Sequence, residues 1–165
     1  MPDRQLSDRT HPCRLAGEDY QMFGQSVFYS LCAKPGIRLD DSALAPTIIA
    51  TLGHMGKRYG VTIHAYCIMP DHLHVMASLS EDRGDFQKWI RYSKRETARI
   101  LRQPGMWQRS YWDRHLRKDE DVETAVYYVL NNPVRRELSD DIFDWPYSWS
   151  RWHPQTRGPN PNGGA

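Results

Sequence analysis

Two short segments of this chain carry residue types able to do chemistry together. The first is Met69-Pro70-Asp71-His72-Leu73-His74-Val75-Met76. Successive side chains of a strand point to opposite faces, so His72 and His74 share one face while Leu73 and Val75 turn to the core. Two imidazoles aimed at one point make a candidate metal-binding pair; two ordinary polar-face histidines are the alternative reading. The second segment, Ala125 to Val134, reads as a helix closed by an Asn-Pro, because the residue before a proline is pushed out of helical geometry. Tyr128 and Asn132 are four apart and therefore on one helix face. A phenol with a pKa of about 10 is a poor nucleophile near neutrality, and a divalent ion held nearby supplies the missing activation.

These segments need elements to position them. Ser26 to Ala33 is β-branched and aromatic and stops at Lys34-Pro35-Gly36, which predicts a first core strand. A helix follows, capped by Asp41 or Ser42, with Leu44, Ile48, Leu52, Met55 and Tyr59 on one stripe and Gly60 at its end. Val61 to Met69 and His72 to Leu79 read as two strands joined at Pro70-Asp71, with the histidines opening the second. Asp85 opens another helix. Its inner stripe is Phe86, Ile90, Ser93, Thr97 and Ile100/Leu101, and its outer face carries Lys88, Arg91, Arg95, Arg99 and Arg102. Met106 to Leu116 is an aromatic-rich strand or irregular segment, and residues 119–132 form the tyrosine helix. The order strand, helix, strand, strand, helix, strand, helix is the split βαβ pattern. It predicts an α+β, ferredoxin-like (RRM-like) antiparallel sheet with helices packed on one face.

At 165 residues the chain has room for one packed domain. Residues 1–20 are polar without period, and residues 153–165 are rich in Pro, Gly and Asn, so both ends are expected to lack fixed structure, leaving 21–152 as the domain. The net charge of +2 hides an uneven distribution: residues 83–118 hold eleven Lys/Arg against three acids. That local field points to a polyanionic partner. Trp107, Tyr111 and Trp112 are interleaved there with Arg109, Arg114, Arg117 and Lys118, a combination that stacks bases and neutralises phosphates, although a solvated charged face and core aromatics are the plainer readings. Cys13, Cys32 and Cys67 have no metal-type spacing, and the N-terminus lacks an apolar signal region, which argues for a reducing, cytoplasmic setting. No apolar run approaches the roughly 20 residues that span a bilayer, so a soluble protein without a membrane partner is expected.

The chain resembles the HUH single-tyrosine transposases, most closely their REP-associated tyrosine transposase branch. Three motifs carry the resemblance in order: Met69 to His74 matches Met-Pro-(Asp/Glu)-His-x-His; Trp107-Gln108-Arg109-Ser110-Tyr111-Trp112-Asp113-Arg114-His115 matches the Trp-Gln segment; Tyr128 to Val134 matches Tyr-(Ile/Val)-x-x-Asn-Pro-Val. Asp144 to Trp149 is a weaker fourth echo. The likeness spans roughly residues 20–152 and implies the same ferredoxin-like fold. It further implies metal-dependent cleavage and rejoining of single-stranded or hairpin DNA, such as extragenic palindromes, through a 5′-phosphotyrosine on Tyr128, with Mg²⁺ or Mn²⁺ as cofactor. His72 and His74 would be metal ligands; related enzymes place a glutamine four residues after the tyrosine as a third, and Asn132 stands at that position, where a helix cap is its other reading. Tyr127 does not fit the Tyr-x-x-x-Asn-Pro spacing and is expected in the core. Lys88, Arg91, Arg95, Arg99, Arg109, Trp112, Arg114 and Arg117 are the expected DNA contacts, with Gln108 and Asp113 as buttresses and Trp145, Tyr147 and Trp149 docking the C-terminal segment. Arg114 precedes His115 where relatives often put histidine directly after the acid, which clouds a role for His115. A monomer is expected, with a dimer as the alternative, in the bacterial cytoplasm and on the nucleoid when bound to DNA. Two competing readings are a non-catalytic nucleic-acid-binding module on the same scaffold and a zinc site drawing on His64 or His115.

Overall fold

A computed structural model describes residues 26–80, 84–116 and 122–163, the side chains of 122 and 123 excepted. The expectations for residues 1–20, Cys13, Arg117 and Lys118 lie outside those residues. The elements are β1 (Ser26–Ala33), α1 (Leu44–Tyr59), β2 (Val61–Ile68), β3 (His72–Leu79), α2 (Phe86–Ile100), β4 (Trp107–His115), α3 (Val122–Leu130), α4 (Asn132–Arg135) and β5 (Ser148–Ser150). The strands form one antiparallel sheet in the order β4-β1-β3-β2-β5. Its first four strands follow the split βαβ topology, and β5 adds an edge beside β2.

Local chemistry sets the helix ends. The Asp41 carboxylate accepts from Ala43 N (2.7 Å) and Leu44 N (3.3 Å), satisfying amides that the first turn of α1 cannot pair. Gly60 ends α1 with φ 63°, where a side chain would be strained. Asp85, in extended geometry, caps α2 by accepting from Lys88 N at 3.0 Å.

The two faces of the sheet are packed differently. On the first face α1 and α2 cover Val27, Tyr29, Leu31, Leu73, Val75 and Ala77. Trp89 is fully buried there and donates its indole N–H to Leu52 O at 3.0 Å, tying α2 to α1. Trp107 is also part of this core, donating to Thr97 Oγ1 at 2.9 Å, and Tyr111 packs 5.9 Å from the Tyr29 ring. Ile100, expected inside, is 47% exposed; Trp89 fills the stripe instead.

The one-face expectation holds for α1 and α2 only. The tyrosine helix α3 lies on the second face, where Ala125, Val126, Val129 and Leu130 meet Phe28, Ala65, Cys67, Met69 and Met76. The cause is in the strands: β1, β2 and β3 are apolar at positions of both parities, and a strand with two apolar faces must be covered twice.

The C-terminal stretch also departs from expectation. Residues 153–163 follow β5 along the β2 edge, held by Gly158 N to Ser148 O (2.8 Å), the Tyr66 hydroxyl to Pro159 O (2.9 Å) and the Asn162 amide, which accepts from Ile63 N (3.1 Å) and donates to Ile63 O (2.8 Å). Pro161 O sits so close to Gly53 that a Cβ there would fall 1.7 Å from it. Prolines forbid a regular ladder, but single bonds from Asn and Gly fix the segment without one.

Candidate metal and nucleophile site

The turn into β3 is rigid before any site is built. Leu39 N donates to Pro70 O (2.8 Å), Ala33 N to Asp71 O (2.9 Å) and Met69 N to His72 O (2.8 Å). His72 and His74 follow on the second face. The Asp71 carboxylate lies 2.6 Å from His72 Nδ1, and since a carboxylate only accepts, Nδ1 donates to it and Nε2 points the other way, toward His74. His74 Nδ1 lies 2.9 Å from Ser30 Oγ on the neighbouring strand β1. The two Nε2 atoms stand 2.9 Å apart, with the ring planes at 88°. This is how metal-ligating histidines are held, with the far nitrogen anchored by a carboxylate or hydroxyl. Burial, then the charges of His72, Arg136 and Arg135, push the His74 pKa well below the ordinary range, so it is held neutral and able to ligate.

The donor set fits a divalent cation with an open shell. Two imidazoles alone would leave such an ion in need of further oxygen ligands. Among the described residues no cluster of three or more His, Cys, Asp or Glu is placed to hold a metal. His64 is committed elsewhere: Ser78 Oγ is 2.6 Å from its Nε2 and Arg151 Nη1 is 3.0 Å from its Nδ1. A closed zinc site on His64 is thereby excluded.

Tyr128 rides on α3. The buried stripe Ala125, Val126, Val129, Leu130 leaves it at the boundary, half-buried, while Tyr127 points away and is 52% exposed. Tyr127 therefore is not a core residue as expected; the stripe of small and branched residues already fills that face. The Arg135 guanidinium lies 5.1 Å from the Tyr128 ring centroid, and its charge also acts on His74. Asn132, 7% exposed, donates its side-chain amide to Tyr128 O (3.0 Å) and Val129 O (3.1 Å), capping α3. The cap holds the tyrosine's own turn and leaves the amide oxygen as that side chain's remaining donor atom.

The expected DNA contacts divide between the faces. Trp112 pairs across β1 with Ser30, and Arg114 with Phe28, over whose ring its guanidinium lies at 5.5 Å. Both belong to the second face with the histidines. Lys88, Arg91, Arg95 and Arg99 lie exposed on the outer side of α2, behind the first face, so the structure does not bring them to the tyrosine. Arg99 is paired with Glu96 at 2.9 Å, and Arg91 lies 4.8 Å over the Tyr92 ring. Arg109 is exposed on β4. Gln108 donates to Ala33 O at 3.1 Å and fixes the start of β4. Trp145 donates to Ile68 O at 2.8 Å, and Trp149 stacks on Tyr66, as expected of docking residues. Sequence reading missed Ser30, Arg135 and Arg136. The Arg-Arg pair directly follows the Asn-Pro-Val motif and was visible; Ser30 is 44 residues from His74 and only strand pairing reveals it.

Comparison with known proteins adds an independent line. The family described as "Transposase IS200 like" matches residues 36–132, a span containing His72, His74, Tyr128 and Asn132. A Haemophilus influenzae protein with the provisional name REP-associated tyrosine transposase is 30% identical over 126 residues, covering 64% of this chain and 72% of that protein. The REP-associated tyrosine transposase of Escherichia coli K12 is 29% identical over 86 residues, about half of each chain (52%). A solved structure of a REP-associated tyrosine transposase bound to a REP hairpin superimposes with a TM-score of 0.70 over 78% of both chains at 22% identity, a likeness of fold.

Proposed function

The chain belongs to the IS200-like transposase family, and from that premise we propose that it cuts and rejoins single-stranded DNA beside a hairpin through a covalent bond to Tyr128. The observation that carries this reading is the pair of anchored Nε2 atoms, 2.9 Å apart, on the sheet face that also bears the tyrosine helix. The names of the relatives, and the hairpin in the solved neighbour, favour a REP-type hairpin as substrate.

His72 Nε2, His74 Nε2 and the Asn132 amide oxygen would hold a divalent ion, Mg²⁺ or Mn²⁺, whose shell substrate and water oxygens complete. Such an ion would supply polarisation of a non-bridging oxygen of the scissile phosphate. Tyr128 Oη gives up its proton and attacks phosphorus; the bond to the 3′-oxygen breaks, that oxygen takes a proton, and a 5′-phosphotyrosine remains. Attack by a 3′-hydroxyl reverses the step, so the phosphoester energy is kept and no nucleotide triphosphate is consumed. Arg135, whose guanidinium lies over the phenol ring, attracts the incoming phosphate. Trp112 and Arg114 guide the strand near the cut, and Arg109, on the α2 side of β4, holds phosphate away from it. Lys88, Arg91, Arg95 and Arg99 bind phosphates farther along the DNA, and Arg117 is a further phosphate contact. The protein acts as a monomer in the bacterial cytoplasm, and no helix among the described residues is long and apolar enough to cross a membrane.

Incubation with a labelled hairpin library and Mg²⁺ or Mn²⁺, then denaturing electrophoresis, tests this directly. A protein-DNA adduct is expected from wild type and Tyr127→Phe, and none from Tyr128→Phe or His72→Ala. Salt-sensitive binding with no adduct from wild type would replace the enzyme with a binding module.

A further inference from the structure

Beyond β5 the chain leaves the sheet and presents Arg151 and Trp152, both exposed and neither part of any motif above. Arg151 is fixed twice to one residue: its backbone N donates to His64 O at 2.9 Å and its Nη1 lies 3.0 Å from His64 Nδ1. A guanidinium only donates, so His64 Nδ1 accepts and the ring proton sits on Nε2, which donates to Ser78 Oγ at 2.6 Å. Imidazole and guanidinium are therefore bonded into one layer. Trp152 lies across it, 5.6 Å from the imidazole centroid at a 33° tilt and 5.6 Å from the guanidinium carbon. Its backbone is fixed as well, Trp152 N donating to Ser150 Oγ at 3.3 Å.

An indole covered on both faces would be largely hidden, yet Trp152 is 46% exposed. Arg151 lies over the indole ring with His64 beside it, and close to half of the Trp152 surface stays open. The layer rests on Ser78, which shares its sheet face with His74 and follows it by four residues along β3. At about 3.3 Å per residue, the platform's support stands roughly 13 Å from the histidine pair, on the same side of the sheet. A flat apolar face beside an exposed guanidinium is complementary to a flat base joined to an anionic phosphate. Every nucleobase has such a face, so recognition here needs no particular sequence.

We propose that Trp152, backed by His64 and Arg151, is a stacking site for one unpaired nucleobase of the single-stranded DNA that runs to the cut. This deepens the nuclease reading and rests on it for the identity of the ligand. It assigns to the C-terminal end of the domain a direct hold on DNA.

Binding to fluorescein-labelled oligo(dT) of about 12 nucleotides, set against an abasic backbone of the same length and charge, isolates stacking from phosphate attraction. Wild type is expected to prefer oligo(dT). Trp152→Ala should lose about fivefold or more on oligo(dT) and little on the abasic strand, Trp152→Phe should keep most of the preference, and thermal unfolding of both should stay near wild type. Equal affinity of wild type for the two strands overturns the inference, as does a preference that Trp152→Ala leaves intact. The adduct assay separates this from the parent reading. An adduct with a Trp152-independent preference leaves the enzyme and removes the platform; a Trp152-dependent preference with no adduct leaves the platform and removes the enzyme.

Discussion

The two faces of one sheet are built to different rules. On the first, Trp89 and Phe86 of α2 and Leu52 of α1 interlock with Tyr29 of β1, and α2 turns Lys88, Arg91, Arg95 and Arg99 outward. On the second, α3 covers only part of the surface with smaller residues, Ala65, Cys67, Ala125 and Val126, and leaves space for two histidines, a half-buried tyrosine and two arginines. Strands β1 and β3 serve both. Leu31 and Leu73 fill the first core while their chain neighbours Ser30 and His74 meet on the other side. The large aromatic core and the proposed site therefore lie on opposite sides of the same strands.

Substitutions on the two faces should therefore fail in opposite ways. Tyr128→Phe should abolish the DNA adduct and leave the melting temperature within a degree or two of wild type. Trp89→Ala should do the reverse, costing about 3–5 kcal/mol in denaturant unfolding while the molecules that remain folded keep their adduct yield. Asp71→Asn sharpens the comparison within the second face. It keeps the shape of the turn and removes the carboxylate that orients His72, so divalent-ion affinity by calorimetry should fall about 10- to 100-fold with little loss of stability.

A smaller effect comes from pH. Burial, and then the Arg151 charge, lowers His64 from its ordinary 6.5 to about 4. The unfolded chain takes up that proton near 6.5 and the native one only near 4, so the contribution is complete above about pH 6.5 and is lost as pH falls to 4, on the order of 3 kcal/mol in all. His64→Gln should flatten the unfolding free energy over that window. The smallest effect belongs to the helical layer: Arg95→Ala should leave adduct chemistry at saturating DNA unchanged and reduce the salt slope of binding by about one.

What could be read from the chain follows from what each signal encodes. β1, α1 and the hairpin carrying the histidines are bounded by Lys34-Pro35-Gly36, Asp41, Gly60 and Pro70-Asp71, residues whose backbone preferences act locally, and these elements lie within a residue or so of where they were expected. The histidine pair was legible because alternation along a strand is local too. Its anchoring was only half legible: Asp71 is the adjacent residue, but Ser30 comes from another strand. Tyr127 was misplaced because two adjacent tyrosines cannot be ranked for burial until the covered face is known, and that face is fixed by Met76 and Phe28 on distant strands. The docked stretch 153–163 defeated composition for a similar reason. Its hold is a handful of specific bonds to Ile63, Tyr66 and Gly53, none of which biases a count of prolines and glycines.

The Asn162 amide has one more consequence. By accepting from Ile63 N and donating to Ile63 O it acts as a single rung of a strand that is not there, just beyond where β5 stops. A sheet margin with free amides and carbonyls is a template on which another chain can add. Three residues of β5 and one asparagine side chain close that margin on β2, so this short stretch guards the protein against adhering to its own copies.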